Sequence, residues 1–381
     1  MEQTSDSLTS SVLQGSKWPH GHLTLRHRIL LGGLLPAIVE SWYPANNDTY
    51  GVLLEDDVEV SPLFYSWLKF SILYYRYGPD VVRERSKRLF GISLYQPKNI
   101  ELRPEGRKKF DSHQIFQDLD IPTTLPYLSQ VPCSWGAAYF PEHWREFYQF
   151  LSLRLSETSL DISDYIVPDI RSNRWPKSWK RYIIELIYLR GYSMLYPNYE
   201  DFRSLSTNHL ELGTHVKDDA AAQKRREAFE VPLLTEDDSL LEGLPSHTLP
   251  KWGDMPFVDF WGSIATEEDA LERAKVTIAE LALCKQGELQ EEYPDSKDAA
   301  SLSFDARDLL CARGNNIDDY AAQRISLADR EAMLAEREAR VSELEEDLVG
   351  GHDGHLVAED SLIPNDGWLG RITGDLERLE G

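Results

Sequence analysis

The chain has 381 residues, enough for two domains or for one large domain with a tail. Its 64 acidic and 40 basic side chains give a net charge of −24, so binding to the nucleic-acid phosphate backbone is not expected. A nucleotide diphosphate would need a local cation, either a metal ion or a cluster of Arg and Lys. The three cysteines are widely spaced, which argues against a zinc knuckle and a disulfide scaffold.

Composition divides the chain into five segments. Residues 1–17 are polar and rich in Ser and Thr, which predicts a disordered leader. Residues 18–216 are dense in aromatic and aliphatic side chains and predict the globular domain. Residues 217–264 are charged, contain Pro and Gly, and are predicted to be a linker that packs on this domain. Residues 265–349 predict helices with a marginal coiled-coil seam, through which the chain would self-associate, and residues 350–381 predict a disordered end to this acidic tail.

Within the globular segment, helix and strand patterns alternate. Alternation of this kind predicts an α/β fold with a mostly parallel sheet flanked by helices. In such sheets, ligands bind beyond the carboxyl ends of the strands. The predicted elements in chain order are a helix at 25–42, a strand at 51–54, a helix opened by Ser61 and Pro62, a strand at 90–95, a strand at 135–140, a helix from Pro141, a helix at 178–190 stopped by Gly191, and a strand at 192–196.

An acidic triplet follows the first of these strands directly. Side chains alternate along a strand, so Glu55 and Asp57 should point to one side and Asp56 to the other. Two carboxylates at a strand end can hold Mg²⁺ or Mn²⁺ and leave further positions for diphosphate oxygens. The alternative interpretation is that these acids only cap the next helix, and the pattern leaves both open.

Residues 53–65 resemble the strand, acidic motif and helix of the GT-A glycosyltransferases. The similarity is closest to the inverting N-acetylglucosaminyltransferase I type, and the chain also resembles a set of plant and fungal glycosyltransferase-like proteins. Weaker similarities to the same family follow in the same order at residues 25–32, 91–96, 135–140, 175–179 and 213–215.

This resemblance implies transfer of a sugar from a nucleotide-diphosphate donor, expected to be a UDP-sugar, to a hydroxyl of a glycan or glycoprotein. It implies Mn²⁺ or Mg²⁺ as cofactor, inversion at the sugar carbon, and work in the Golgi. Asp57 would be the direct metal ligand, and Glu55 and Asp56 would orient it or contact the sugar and ribose. His209 or His215 would close the site as further metal ligands.

Two departures from the family pattern lead to further expectations. GT-A domains begin with a strand–helix–strand unit ahead of the acidic motif, so the domain is expected to be N-terminally incomplete. The position of the general base falls on Lys180 or Arg181, neither of which accepts a proton at neutral pH. Glu185 is the best local substitute, with an ion pair to Arg181 as its alternative role, and Asp169 and Asp164 are further candidates.

Basic residues near the predicted base could bind the diphosphate or an anionic acceptor. Arg174 and Lys177 are the leading candidates, although a solvated helix start paired with nearby acids explains them equally well. Two rival functions also remain. One is a catalytically inactive binding or scaffold protein, and the other is a metal-dependent nucleotidyltransferase.

Overall fold

The computed structural model describes residues 7–19, 21–26, 33–78, 86–155, 165–209, 226–227, 229–280, 304 and 306–309. Its helices are α1 (Ser7–Gly15), α2 (Leu34–Val39), α3 (Phe64–Tyr77), α4 (Ser112–Asp118), α5 (Pro141–Leu155), α6 (Trp179–Arg190), α7 (Glu267–Glu280) and α8 (Ala306–Leu309). Its strands are β1 (Gly51–Leu53), β2 (Val58–Val60), β3 (Leu89–Ser93), β4 (Asn99–Ile100), β5 (Lys108–Lys109), β6 (Tyr127–Ser129), β7 (Ala137–Tyr139), β8 (Ser193–Tyr196), β9 (Ser206–Asn208), β10 (Phe257–Val258) and β11 (Ile264–Ala265).

Seven strands form the main sheet, in the order β1-β7-β3-β8-β6-β10-β11. Only β3–β8 and β6–β10 are parallel pairs, and the other neighbouring pairs are antiparallel. The prediction of a mostly parallel sheet is therefore wrong, and the sheet is mixed. Alternation of strands and helices predicts the layers but not the strand directions. Here β7 runs antiparallel to both β1 and β3, and β6 runs antiparallel to β8.

Helices cover both faces of this sheet, which confirms the α/β class at the coarse level. Helices α2, α5 and α6 supply one buried cluster, and α3 supplies the other. Along β3, Phe90 packs into the first cluster, whereas Leu89 and Ile92 pack into the second. Every residue of α6 is buried, because this helix lies between the sheet, α5 and α7.

The boundaries of α6 agree with the predicted helix. The Ser178 hydroxyl accepts a hydrogen bond from the Lys180 N–H at 3.3 Å, and Gly191 ends the helix with a left-handed φ of 62°. In contrast, α3 begins at Phe64 and not at the predicted cap. The Ser61 hydroxyl accepts from the Leu63 N–H at 3.1 Å and donates to the Leu234 carbonyl at 2.6 Å, so it stabilises a turn before the helix.

The helix predicted over residues 25–42 is shorter in the described residues. It is present only as α2, which follows Gly33 at a φ of 69°. Glycine readily adopts this left-handed conformation, which interrupts a helix. At the amino terminus, α1 lies inside the segment predicted as a disordered leader.

The segment predicted to pack on the domain contributes directly to the sheet. β10 pairs in parallel with β6, and β11 pairs with β10. Helix α7 packs on α6, and α8 packs on α5. The predicted coiled-coil positions and residues 350–381 lie outside the described residues. None of the helices in the described segments combines the length and apolar composition needed to cross a bilayer.

Candidate functional site

The carboxyl ends of three strands lie at one edge of the sheet. β1, β3 and β8 run in the same direction, since β1 and β3 are both antiparallel to β7 and β3 is parallel to β8. After β8 the chain returns across this edge, where the N–H groups of Leu205 and Ser206 donate to the Leu94 carbonyl at 2.9 and 3.1 Å. The acidic triplet follows β1 at this same edge, the position at which ligands of layered α/β folds bind.

Glycine at position 136 is required where the returning chain meets β7. Its φ is 95°, and a Cβ there would lie 2.9 Å from the Ser206 hydroxyl oxygen. The close approach lets that hydroxyl donate to the Trp135 carbonyl at 2.6 Å. This contact fixes the backbone of Trp135 beside the edge.

The acidic triplet forms a turn between β1 and β2. The Val58 N–H donates to the Glu55 carbonyl at 3.3 Å, so the triplet does not continue the strand as the alternation argument assumed. Glu55 and Asp57 are nevertheless half-buried, whereas Asp56 is exposed. The turn is held by β9, because the Asn208 side chain donates to Asp57 Oδ1 at 2.7 Å.

The carboxyl group of Glu55 is strongly perturbed by its surroundings. Burial raises its pKa to about 7, and the nearby charges of Asp57, Asp56 and Glu101 add to this effect, while Lys180 opposes it. A carboxyl group with this pKa is partly protonated at neutral pH. A cation bound beside it would lower this pKa, and the carboxyl group would then be fully ionised.

A small cavity lies near the triplet on the sheet. Its volume is about 30 Å³, room for one or two water molecules. Lys180 of α6 donates to Glu101 Oε1 at 2.7 Å, and its ammonium lies 5.4 Å from the centre of the Trp135 ring. Among the described residues, the cavity is lined by these three residues together with Tyr95, Arg107, Cys133, Tyr196 and Phe229, among others.

The charges around this cavity are balanced between Glu101 and its basic neighbours. Burial alone would raise the pKa of Glu101, but Lys180, Arg107 and Arg171 outweigh it and hold the pKa below its usual value. Burial would likewise lower the pKa of Lys180, but Glu101 more than compensates and the pKa is raised. Both groups are therefore ionised at neutral pH.

His209 lies next to the triplet, but its ring faces carboxylates. The backbone N–H of His209 donates to the Asp57 carbonyl at 2.9 Å. Nε2 lies 2.8 Å from Glu59 and Nδ1 lies 3.4 Å from Glu230. The hydrogen bond to Glu59 is the largest effect that raises the pKa of His209, and the hydrogen bond to Glu230 adds to it. A metal ion would have to displace one of these carboxylates to reach the ring, and His215 lies outside the described residues.

The two predicted general bases do not line the cavity. Glu185 is buried, with Arg154 donating to its two oxygens at 2.8 and 3.1 Å and Arg181 donating at 3.2 Å. Asp169 is exposed, and its carbonyl accepts from the Trp261 indole at 3.0 Å. The third candidate, at position 164, lies outside the described residues.

The predicted diphosphate-binding residues are exposed and do not line the cavity. Arg174 lies in the short 3₁₀ turn before α6, and Lys177 lies three residues further along. Lys180, one of the two positions on which the expected base falls, is the basic side chain of this run that lines the cavity.

Two contributors were not identified from the sequence. Glu101 follows the two-residue strand β4, which has no recognisable periodicity, and nothing in its local sequence indicates that it meets Lys180. Asn208 was missed because nothing in its local sequence indicates that it meets Asp57, although its place five residues before the expected Gly-x-His segment was a weak signal.

The described residues contain no cluster of three His, Cys, Asp or Glu side chains arranged to hold a metal ion. A site for Mg²⁺ or Mn²⁺ can nevertheless use one or two carboxylates and take its remaining oxygens from water and phosphate. Glu55 and Asp57 fit that pattern, since their charges already interact at a half-buried turn.

Comparison with known proteins gives one partial match. A protein-family model described as the SPBC1E8.03c C-terminal domain matches residues 1–94 of the chain. No curated protein shows significant similarity. The matched segment contains the acidic triplet, whereas Glu101 and Lys180 lie beyond it.

Proposed function

We propose that the chain is a GT-A-type glycosyltransferase that moves a sugar from a nucleotide-diphosphate donor, a UDP-sugar, to a hydroxyl of a glycan or glycoprotein. The observation that carries this proposal is the acidic turn at the carboxyl edge of the sheet, where Glu55 interacts electrostatically with Asp57. The aromatic and charged cavity near this turn supports it, because sugars pack on aromatic faces and hydrogen-bond to charged groups. Inversion at the sugar carbon rests on the family resemblance.

In this proposal Glu55 and Asp57 hold Mn²⁺ or Mg²⁺, and Asn208 orients Asp57 through its hydrogen bond to Oδ1. A bound divalent ion supplies positive charge to the departing nucleotide diphosphate, an effect of several kcal/mol in comparable reactions. Glu55 must lose its proton for this, so binding should release a proton near neutral pH.

A catalytically inactive binding or scaffold protein is the second candidate. The cavity of about 30 Å³ is too small for a sugar without movement of its walls. By resemblance, the base position of the family falls on Lys180 or Arg181, and these side chains are already paired with Glu101 and Glu185. Both observations favour a relative that has lost catalysis.

Incubation with UDP-sugars labelled separately in the sugar and in the uridine distinguishes these functions. A transferase places the sugar label on the acceptor and releases UDP. A nucleotidyltransferase would place the uridine label in the product, and a scaffold protein would leave the donor intact. Either of the last two results would contradict the proposal.

A further inference from the structure

Glu101 is a carboxylate in the wall of the cavity that no part of the proposed metal site uses. Among the described residues that line this cavity, it is the one acidic side chain. Its exposed fraction of 20% leaves it in contact with the cavity and solvent, whereas Glu185 is 1% exposed and tied to two arginines.

The contacts of Glu101 leave part of its carboxylate available. Lys180 holds Oε1 at 2.7 Å, and within the described segments of the chain Oε2 has no hydrogen bond. Lys180 is fixed in turn, because it lies in the first turn of the fully buried helix α6 and against the Trp135 ring. The carboxylate therefore has a defined position, which a proton acceptor in a reaction requires.

Glu101 also interacts electrostatically with the triplet. Its charge contributes to the raised pKa of Glu55, and Lys180 acts on both carboxyl groups. A donor whose diphosphate is bound at the triplet would thus present its sugar toward the cavity that Glu101 lines.

We infer that Glu101 is the general base that takes the proton from the acceptor hydroxyl, an inference that rests on the proposed transferase function. Its carboxylate accepts the hydroxyl proton as the acceptor oxygen forms a bond to the anomeric carbon. The bond between that carbon and the diphosphate oxygen breaks, and its electron pair leaves on the nucleotide diphosphate. Because the ion pair with Lys180 keeps Glu101 ionised, it is ready to accept this proton at neutral pH.

The test compares Glu101→Gln with Glu105→Gln in the full-length protein. Glu105 is an exposed acid four residues away that pairs with Lys108, which makes it a matched control. The readout is UDP release from UDP-sugars with Mn²⁺, with water or a simple alcohol as acceptor. Affinity for UDP with Mn²⁺ is measured in parallel by calorimetry, and thermal unfolding verifies that each variant is folded.

Loss of a general base lowers turnover by a factor of about 10² to 10⁴. We expect Glu101→Gln to fall within this range while its affinity for UDP with Mn²⁺ stays within about twofold of wild type. Glu101→Asp should recover part of the turnover, and Glu105→Gln should match wild type.

Wild-type turnover in Glu101→Gln would overturn the inference and leave the transferase function standing. A loss of UDP affinity that accounts for the whole loss of turnover would also overturn it, because that result indicates a binding role. If the wild-type protein releases no UDP from any donor, the proposed function fails and the inference fails with it.

Discussion

Glu55 has a pKa that is strongly raised by its position in the fold. It comes directly before two aspartates in a turn, and burial together with their charges raises its pKa to about 7. Asp57 of the same turn is held by Asn208, so the two carboxylates occupy defined positions. At neutral pH the Glu55 carboxyl group therefore keeps part of its proton.

This raised pKa makes stability depend on pH in a specific direction. The folded protein keeps the Glu55 proton up to about pH 7, whereas an unfolded Glu releases it near 4.5, so the contribution of Glu55 to the free energy of unfolding falls as pH rises between these values. Glu55→Gln removes this dependence. We expect the variant to gain about 3 kcal/mol relative to wild type between pH 4.5 and 8 in metal-free buffer.

Urea unfolding of both proteins across this pH range, with a chelator present, measures the effect. Adding Mn²⁺ should reduce the advantage of the variant at high pH, because the cation stabilises ionised Glu55. A stability difference that stays constant with pH would contradict the assignment of this pKa.

At the scale of elements, α5 and α6 are joined by a buried ion-pair cluster. Glu185 on α6 accepts hydrogen bonds from Arg154 on α5 and from Arg181 one turn earlier on α6. Removing one member of a buried ion pair is costly, because the charge that remains has neither water nor its partner around it. The sequence analysis gave an ion pair with Arg181 as the alternative role of Glu185. The structure shows this ion pair, which explains Glu185 as a structural residue.

Glu185→Gln is expected to lower the free energy of unfolding by about 3–5 kcal/mol, since two arginines would then face a neutral amide. Urea unfolding measures this loss, and Glu268→Gln in the exposed first turn of α7 is the control. Stability within about 0.5 kcal/mol of wild type, combined with loss of sugar transfer, would instead favour Glu185 as the catalytic base.

How well each element was predicted depended on whether local sequence determines it. Helix α6 was predicted closely because a serine cap and a left-handed glycine mark its ends. β7 and the start of α5 at Pro141 were also marked locally. The start of α3 was predicted two residues early, because the hydroxyl of Ser61 bonds to the distant carbonyl of Leu234.

At the scale of the whole molecule, the sheet extends past the predicted boundary at residue 216. β10 and β11 have two residues each, too few for a periodic pattern, and they join the sheet through pairing with β6. The layers were therefore predictable from the sequence, but the strand order and directions were not, because pairing partners lie far apart along the chain.

The candidate site shows the same limit. The acidic triplet was identified because its residues are adjacent in sequence. The contact between Glu101 and Lys180, and the place of Trp135 beside them, come from separate elements that only the tertiary structure brings together. Because the net charge is −24, a diphosphate ligand at this site would need a bound cation or nearby basic side chains.

Calorimetric titration of the full-length protein with UDP, with and without Mn²⁺, tests the central claim most directly. Wild type and the exposed control Asp237→Ala should bind UDP only when Mn²⁺ is present, and Asp57→Ala should bind it at least about tenfold more weakly, a difference of about 1.4 kcal/mol. Equal affinity in Asp57→Ala, or binding that does not depend on Mn²⁺, would contradict the assignment of the acidic turn as a metal and diphosphate site.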